Sequence, residues 1–177
     1  RLPHVVGYAR TNAGCVSCLQ FAEAEMNARK EDDDSYPALF ILIDEFHTFT
    51  QGADPVLTKK VNDILRDIAN RGRKRKVFLV LASQRPKAVT PDIREVSKIK
   101  CIGLISQEDE KTIFGDNAYG ASSLRNPGEF ILERPKTGGQ LIQAYYIEDM
   151  AESIQQLYPG SNHTPWCFDS QEQIGQP

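Results

Sequence analysis

Three short apolar runs, with a longer stretch of apolar residues three and four apart between the first two, set the grammar of this chain. The runs are Ala38-Leu39-Phe40-Ile41-Leu42-Ile43, Val77-Phe78-Leu79-Val80-Leu81-Ala82 and Ile99-Lys100-Cys101-Ile102-Gly103-Leu104-Ile105. The first two are continuous rather than alternating, which predicts strands buried on both faces. Between them Val56, Val61, Ile64, Leu65 and Ile68 recur at helical spacing. Upstream, Val16, Leu19, Ala22 and Met26 predict an amphipathic helix over about residues 12–30, capped at Thr11 or Asn12. The acidic stretch Lys30-Glu31-Asp32-Asp33-Asp34-Ser35 reads as a surface turn.

Strand, helix, strand, crossover, strand is the order of a parallel α/β sheet with right-handed connections. Ser106-Gln107-Glu108-Asp109 then predicts a capped short helix to about Phe114. Glu129-Phe130-Ile131-Leu132 and Leu141-Ile142-Gln143-Ala144-Tyr145-Tyr146 follow Pro127-Gly128 and Gly138-Gly139 and predict an antiparallel hairpin at the sheet edge. From Tyr158 the Pro, Gly, Ser, Asn and Gln content predicts an irregular tail, so residues 1–157 are expected to form the folded part and residues 158–177 the tail.

With 177 residues and 40% apolar content, one core is the natural expectation. The net charge of -3 offers no global attraction to polyanions, so a nucleic-acid contact has to come from a local basic cluster. No stretch approaches the roughly 20 apolar residues of a membrane span. The chain opens on Arg1 without a Met and runs into strand-like sequence, as a piece of something longer would. Cys15 and Cys18 form a C-x-x-C without a second ligand cluster, and small buried thiols are the expectation there.

The chemistry concentrates where strands end. Phe40-Ile41-Leu42-Ile43-Asp44-Glu45 delivers two carboxylates to the C-terminal edge of a sheet, where open α/β folds bind ligands. The first acid suits a magnesium ion held through its water shell, and the second suits orienting or deprotonating a water aimed at a γ-phosphate. Leu79-Val80-Leu81-Ala82-Ser83-Gln84-Arg85-Pro86 brings an uncharged Gln to a neighbouring strand tip, able to hydrogen-bond both a phosphate oxygen and a water. Arg71-Gly72-Arg73-Lys74-Arg75-Lys76 is a basic helix end, read equally as dipole-complementing surface or as a functional cluster.

Asp44-Glu45-Phe46, a helix, Gly72-Arg73, an apolar strand and Leu81-Ala82-Ser83-Gln84-Arg85-Pro86 together resemble the FtsK/SpoIIIE family of DNA-translocase motor ATPases. Leu2-Pro3-His4, Ala24-Glu25-Met26, Val89-Thr90, Lys100-Cys101-Ile102-Gly103, Lys111-Thr112-Ile113-Phe114 and Pro127-Gly128-Glu129-Phe130 extend the resemblance over about residues 1–150. It implies the C-terminal part of a RecA-like P-loop NTPase core, a mostly parallel sheet flanked by helices. It also implies ATP and Mg as cofactors, a homo-hexameric ring, double-stranded DNA as partner, and a cytoplasmic location with or without an upstream membrane anchor. Within it Asp44 would be the magnesium-side acid, Glu45 the catalytic glutamate, Gln84 the γ-phosphate sensor and Arg73 an arginine reaching the neighbour's site, with Arg71 as the alternative.

Departures accompany the match. No G-x-x-x-x-G-K-[ST] loop occurs, so the chain alone is expected to bind ATP poorly. His47-Thr48-Phe49 replaces the family's small and acidic residues, and Lys98 or Lys100 stands where an Arg is usual. A motor for type VII-like secretion or conjugation fits the same pattern, and a degenerate, non-hydrolysing binding module is the alternative of a different class.

Overall fold

The computed structural model describes residues 5–50, 54–149, 152 and 166–169; Leu2-Pro3-His4 and most of the expected tail lie outside them. The chain divides into two compact units, one of residues 1–41, 59–78 and 147–177, the other of residues 42–58 and 79–146.

In the first unit, β1 (Gly7–Tyr8) leads into α1 (Asn12–Ala28), whose N-cap Thr11 accepts from Gly14 N. Leu19, Ala22 and Met26 are buried on it. Cys15 and Cys18 also lie on α1, and burial pushes both thiols up, away from the reactive thiolate. Within the segment expected to be irregular, β7 (Trp166–Cys167) pairs parallel with β1. Asp169 then accepts from Thr11 N, Arg10 N and Thr11 Oγ1, bonds that hold its carboxyl below the usual range. Two-residue strands carry no periodicity, which is why the pattern of the tail did not announce this pairing.

α3 (Pro55–Arg71) buries Val61, Ile64, Leu65 and Ile68 as its spacing predicts, while Val56 is exposed. It runs into a 3-10 turn over Gly72–Arg75, closed by Lys76 in the left-handed region (φ 55°). A Cβ on Gly72 would stand 2.3 Å from the Val77 carbonyl oxygen, so only glycine fits this turn. Arg29, 8% exposed, lies under it and donates from Nη1 to the carbonyls of Pro37, Arg75 and Lys76.

β2 (Leu39–Ile43) and β3 (Val77–Leu81) form a two-stranded sheet. Leu39 N donates to Lys76 O and Ala82 N to Ile43 O, so the strands ascend together. The expectation of burial on both faces is corrected here. Ile41 is buried, but Phe40 is 58% and Leu42 73% exposed, because the chain covers these strands on one side only.

In the second unit, α4 (Pro91–Val96) precedes β4 (Lys100–Ile102), and α5 (Gln107–Phe114) starts at Ser106, which accepts from Asp109 N. β5 (Glu129–Arg134) and β6 (Gly138–Gln143) make the expected hairpin, with Ile131 opposite Leu141. β4 pairs antiparallel with β5, so the third apolar run completes a three-stranded antiparallel sheet rather than extending a parallel one. Its core is Phe114, Ala121 and Ile131, with Ile102, Ile105, Ile113, Tyr119 and Leu124 packed around them. The fold is mixed α/β with small parallel and antiparallel sheets.

Candidate functional site

Asp44 and Glu45 follow the last residue of β2, and Gln84 stands three residues past β3. Ala82 ties the two tips together: its N–H donates to Ile43 O at 2.8 Å and its carbonyl accepts from Phe46 N at 3.0 Å. Phe46 is fully buried at the start of α2 (Phe46–Thr50) and anchors the turn. Asp44 Oδ1 accepts from Glu45 N at 2.8 Å, and Glu45 itself sits in the left-handed region (φ 49°). A non-glycine residue rarely adopts that backbone, and its carbonyl is fixed by Thr48 N and Thr48 Oγ1.

The turned backbone presents the Glu45 carboxylate to two side chains. Gln84 Nε2 donates to Oε1 at 2.5 Å, and His47 Nδ1 lies 3.1 Å from Oε2. Gln84 takes one lone pair of Oε1, so the remaining lone pairs of the carboxylate stay open to a further donor; His47 Nδ1, though close, makes no hydrogen bond to Oε2. The strand-tip residues singled out in the sequence are therefore brought together at Glu45 and Gln84. His47 was noted only as a departure, and no sequence pattern announced its approach to Glu45.

Asp44 is exposed, and Oδ2 has no partner among the described residues. One free carboxylate oxygen at a strand tip fits magnesium, which takes one or two protein carboxylates beside phosphates and waters. Among the described residues there is no group of three or more His, Cys, Asp or Glu that would make an all-protein metal cage. The sequence contains no G-x-x-x-x-G-K-[ST] phosphate loop.

Downstream of Gln84 the loop is braced by Arg94, whose Nη1 donates to Pro86 O at 2.9 Å and Val89 O at 2.6 Å. Lys100 is committed to Glu133 at 2.5 Å. In the first unit, Arg71 pairs with Asp67, Lys74 and Arg75 with Glu31, and Lys76 with Asp34. Among the described residues Arg73 alone of that basic run has no ion pair, and it is exposed. The acidic turn thus neutralises most of the cluster. A separate cavity of about 310 Å³ lies beside the hairpin, lined by Tyr119, Leu124, Arg125, Glu129, Ile131 and Leu141 among others, and includes no strand-tip residue.

No protein-family model matches the chain, and no curated protein is similar to it in sequence. Solved structures are similar in fold. The pCW3 conjugation coupling protein TcpA, in a monomer form with ATPγS, matches with a TM-score of 0.66 at 16% identity, over 83% of this chain and 49% of that one. EssC (ATPases 2 and 3) from Geobacillus thermodenitrificans matches with a TM-score of 0.66 at 15% identity, over 94% and 36%. The cytoplasmic domain of the Thermomonospora curvata type VII secretion ATPase EccC matches with a TM-score of 0.56 at 19% identity, over 94% and 21%. The chain shares its fold with parts of these ATPases and spans half or less of their lengths. Among the described residues no helix is long and apolar enough to cross a membrane.

Proposed function

We propose that this chain is the hydrolytic part of a RecA-like motor ATPase of the FtsK/SpoIIIE kind, driving movement of double-stranded DNA. The observation that carries the reading is the Glu45 carboxylate held by Gln84 across two adjoining strand tips, one residue after the free Asp44 oxygen. In this reading Glu45 takes the proton of an attacking water, Gln84 orients that water from the other strand, and Asp44 holds the magnesium shell. Bound Mg-ATP supplies the phosphoanhydride that is cleaved; its phosphate loop has to come from residues outside this sequence. Arg73, exposed and without an ion pair among the described residues, is preferred to the paired Arg71 as the arginine that reaches a neighbouring subunit of a homo-hexameric ring.

The fold neighbours support a second cargo, since one is described as a type VII secretion ATPase, beside another described as a conjugation coupling protein. ATP hydrolysis by the complete chain that carries this segment, with and without long duplex DNA, separates the readings. Stimulation by DNA, reduced about 10²- to 10⁴-fold by Glu45→Gln, supports the DNA motor. Hydrolysis that ignores DNA and responds to an exported protein supports secretion. No hydrolysis under any condition leaves the non-hydrolysing module. Arg73→Ala is expected to lower turnover about 10³-fold or more while nucleotide binding persists, with Arg71→Ala near neutral.

A further inference from the structure

We propose that Arg29 is a positioning residue for Arg73, its buried guanidinium setting the backbone of the turn that carries Arg73; the catalytic meaning of this rests on the role proposed for Arg73 above. Arg29 follows the last residue of α1 and is 8% exposed. Its Nη1 donates to Pro37 O at 2.8 Å, Arg75 O at 3.2 Å and Lys76 O at 3.3 Å. The guanidinium also lies over the Tyr36 ring, 5.4 Å from its centroid, and the Glu25 carboxylate stands 3.8 Å from Nε as counter-charge. A planar fork serves several carbonyls at once in a fixed direction, which an ammonium on a flexible stem does poorly.

These bonds complete a set. Arg73 O accepts from Lys76 N, Lys74 O from Asp32 N, Arg75 O from Arg29, and Lys76 O from both Arg29 and Leu39 N. Each carbonyl from Arg73 to Lys76 is therefore engaged, and the backbone of the turn is held. The side chains are sorted as well. Lys74 and Arg75 pair with Glu31 and Lys76 with Asp34, whereas Arg73 is exposed and has no ion pair among the described residues. A cation on a fixed backbone with no internal counter-charge is organised in advance for charge on another subunit. Without Arg29 the turn loses its donor to Arg75 O and one of the two to Lys76 O, and Arg73 shifts with the turn. Misplacement of such a group by about 1 Å costs on the order of 100-fold in rate.

Two measurements test this, both on Arg29→Lys, which keeps the charge and the stem but not the fork. The first needs no nucleotide: amide hydrogen exchange in this chain. The N–H groups of Lys76 and Leu39, which close the turn, are expected to exchange about 10-fold faster or more, while those of Ile64 and Leu65 in α3 stay within about twofold. No acceleration in the turn, or equal acceleration in the turn and α3, overturns the proposal. The second is ATP hydrolysis by the complete motor in mixed rings. Arg29→Lys alone is expected to lower kcat about 10- to 100-fold. Its own site is intact in this reading and its Arg73 misplaced, whereas a Glu45→Gln subunit has a dead site and a well-placed Arg73. An equal mixture is therefore expected to raise turnover per Arg29→Lys subunit about fivefold or more. A role confined to fold stability gives no such gain, and its absence, with Arg73→Ala rescued in the same mixture, overturns the proposal alone. If Arg73→Ala is not rescued either, the role proposed for Arg73 has failed and takes this proposal with it. If the unsubstituted motor does not hydrolyse ATP, the hydrolytic reading has failed, and the exchange arm still decides whether Arg29 holds the turn.

Discussion

Glu110 shows how much a single buried carboxylate can organise. It is 3% exposed, and burial alone would raise its carboxyl. Hydrogen bonds from Ser122 Oγ, Ser122 N, Ala121 N and Gly120 N outweigh that and bring it down to about 2. The folded group is therefore more acidic than the unfolded one, near 4.5. Its contribution is complete above pH of about 4.5 and drains away as pH falls toward about 2. At about 1.4 kcal/mol per pKa unit the effect is on the order of 3 kcal/mol. Glu110→Gln, which keeps shape but cannot accept with both ends, is expected to lower the unfolding free energy from urea titration at pH 7 by that order and to flatten the acid limb of stability. Equal acid sensitivity in wild type and variant would contradict the assignment. No sequence pattern pointed here: Glu110 sits on an ordinary helical face, and its partners are backbone N–H groups ten to twelve residues on, invisible to a reading of side chains. Glu45 and Gln84 were legible because each ends an apolar strand, and such strands put their tips side by side.

At the scale of elements, the turn joining α3 to β3 explains why Gly72 precedes Arg73. The left-handed Lys76 and the approach of Val77 O fold the chain back so tightly that residue 72 has no space for a side chain. Gly72→Ala is expected to destabilise by about 2–4 kcal/mol, more than the few tenths to 1 kcal/mol that a helix-end Gly→Ala change usually moves in either direction, because the obstacle is backbone. Thermal unfolding of the chain measures it. If the turn also presents Arg73, the same variant lowers ATP turnover in the complete motor beyond what its lost stability explains. The helical periods of α1 and α3 and the capping box of α5 gave these elements in advance, since each buries one stripe. Arg29 was not legible as the support of this turn, because a guanidinium reaching three carbonyls leaves no mark on periodicity.

For the whole molecule, the continuous apolar runs were read as doubly covered strands, and the structure covers them once. In the function proposed above, the uncovered face of these strands meets a further layer of the complete motor. Phe40, Leu42 and Val80, 58%, 73% and 47% exposed, are poor residues for a water-facing surface, and Phe40 stacks on Phe78 at 5.1 Å as if to limit that exposure. Leu42 is the sharpest test, being the most exposed of the three. In the isolated chain Leu42→Thr introduces a strand-favouring, β-branched residue and removes apolar area, so it is expected to reduce binding of a hydrophobic dye and slow aggregation at unchanged or slightly higher Tm. In the complete motor the same substitution is expected to cost about 1–3 kcal/mol, because there the side chain would be covered. A Leu42→Thr variant equally neutral in both settings would mean that the exposed strand face is a true surface, and that the apolar run encodes solubility-limited sheet pairing rather than a missing layer.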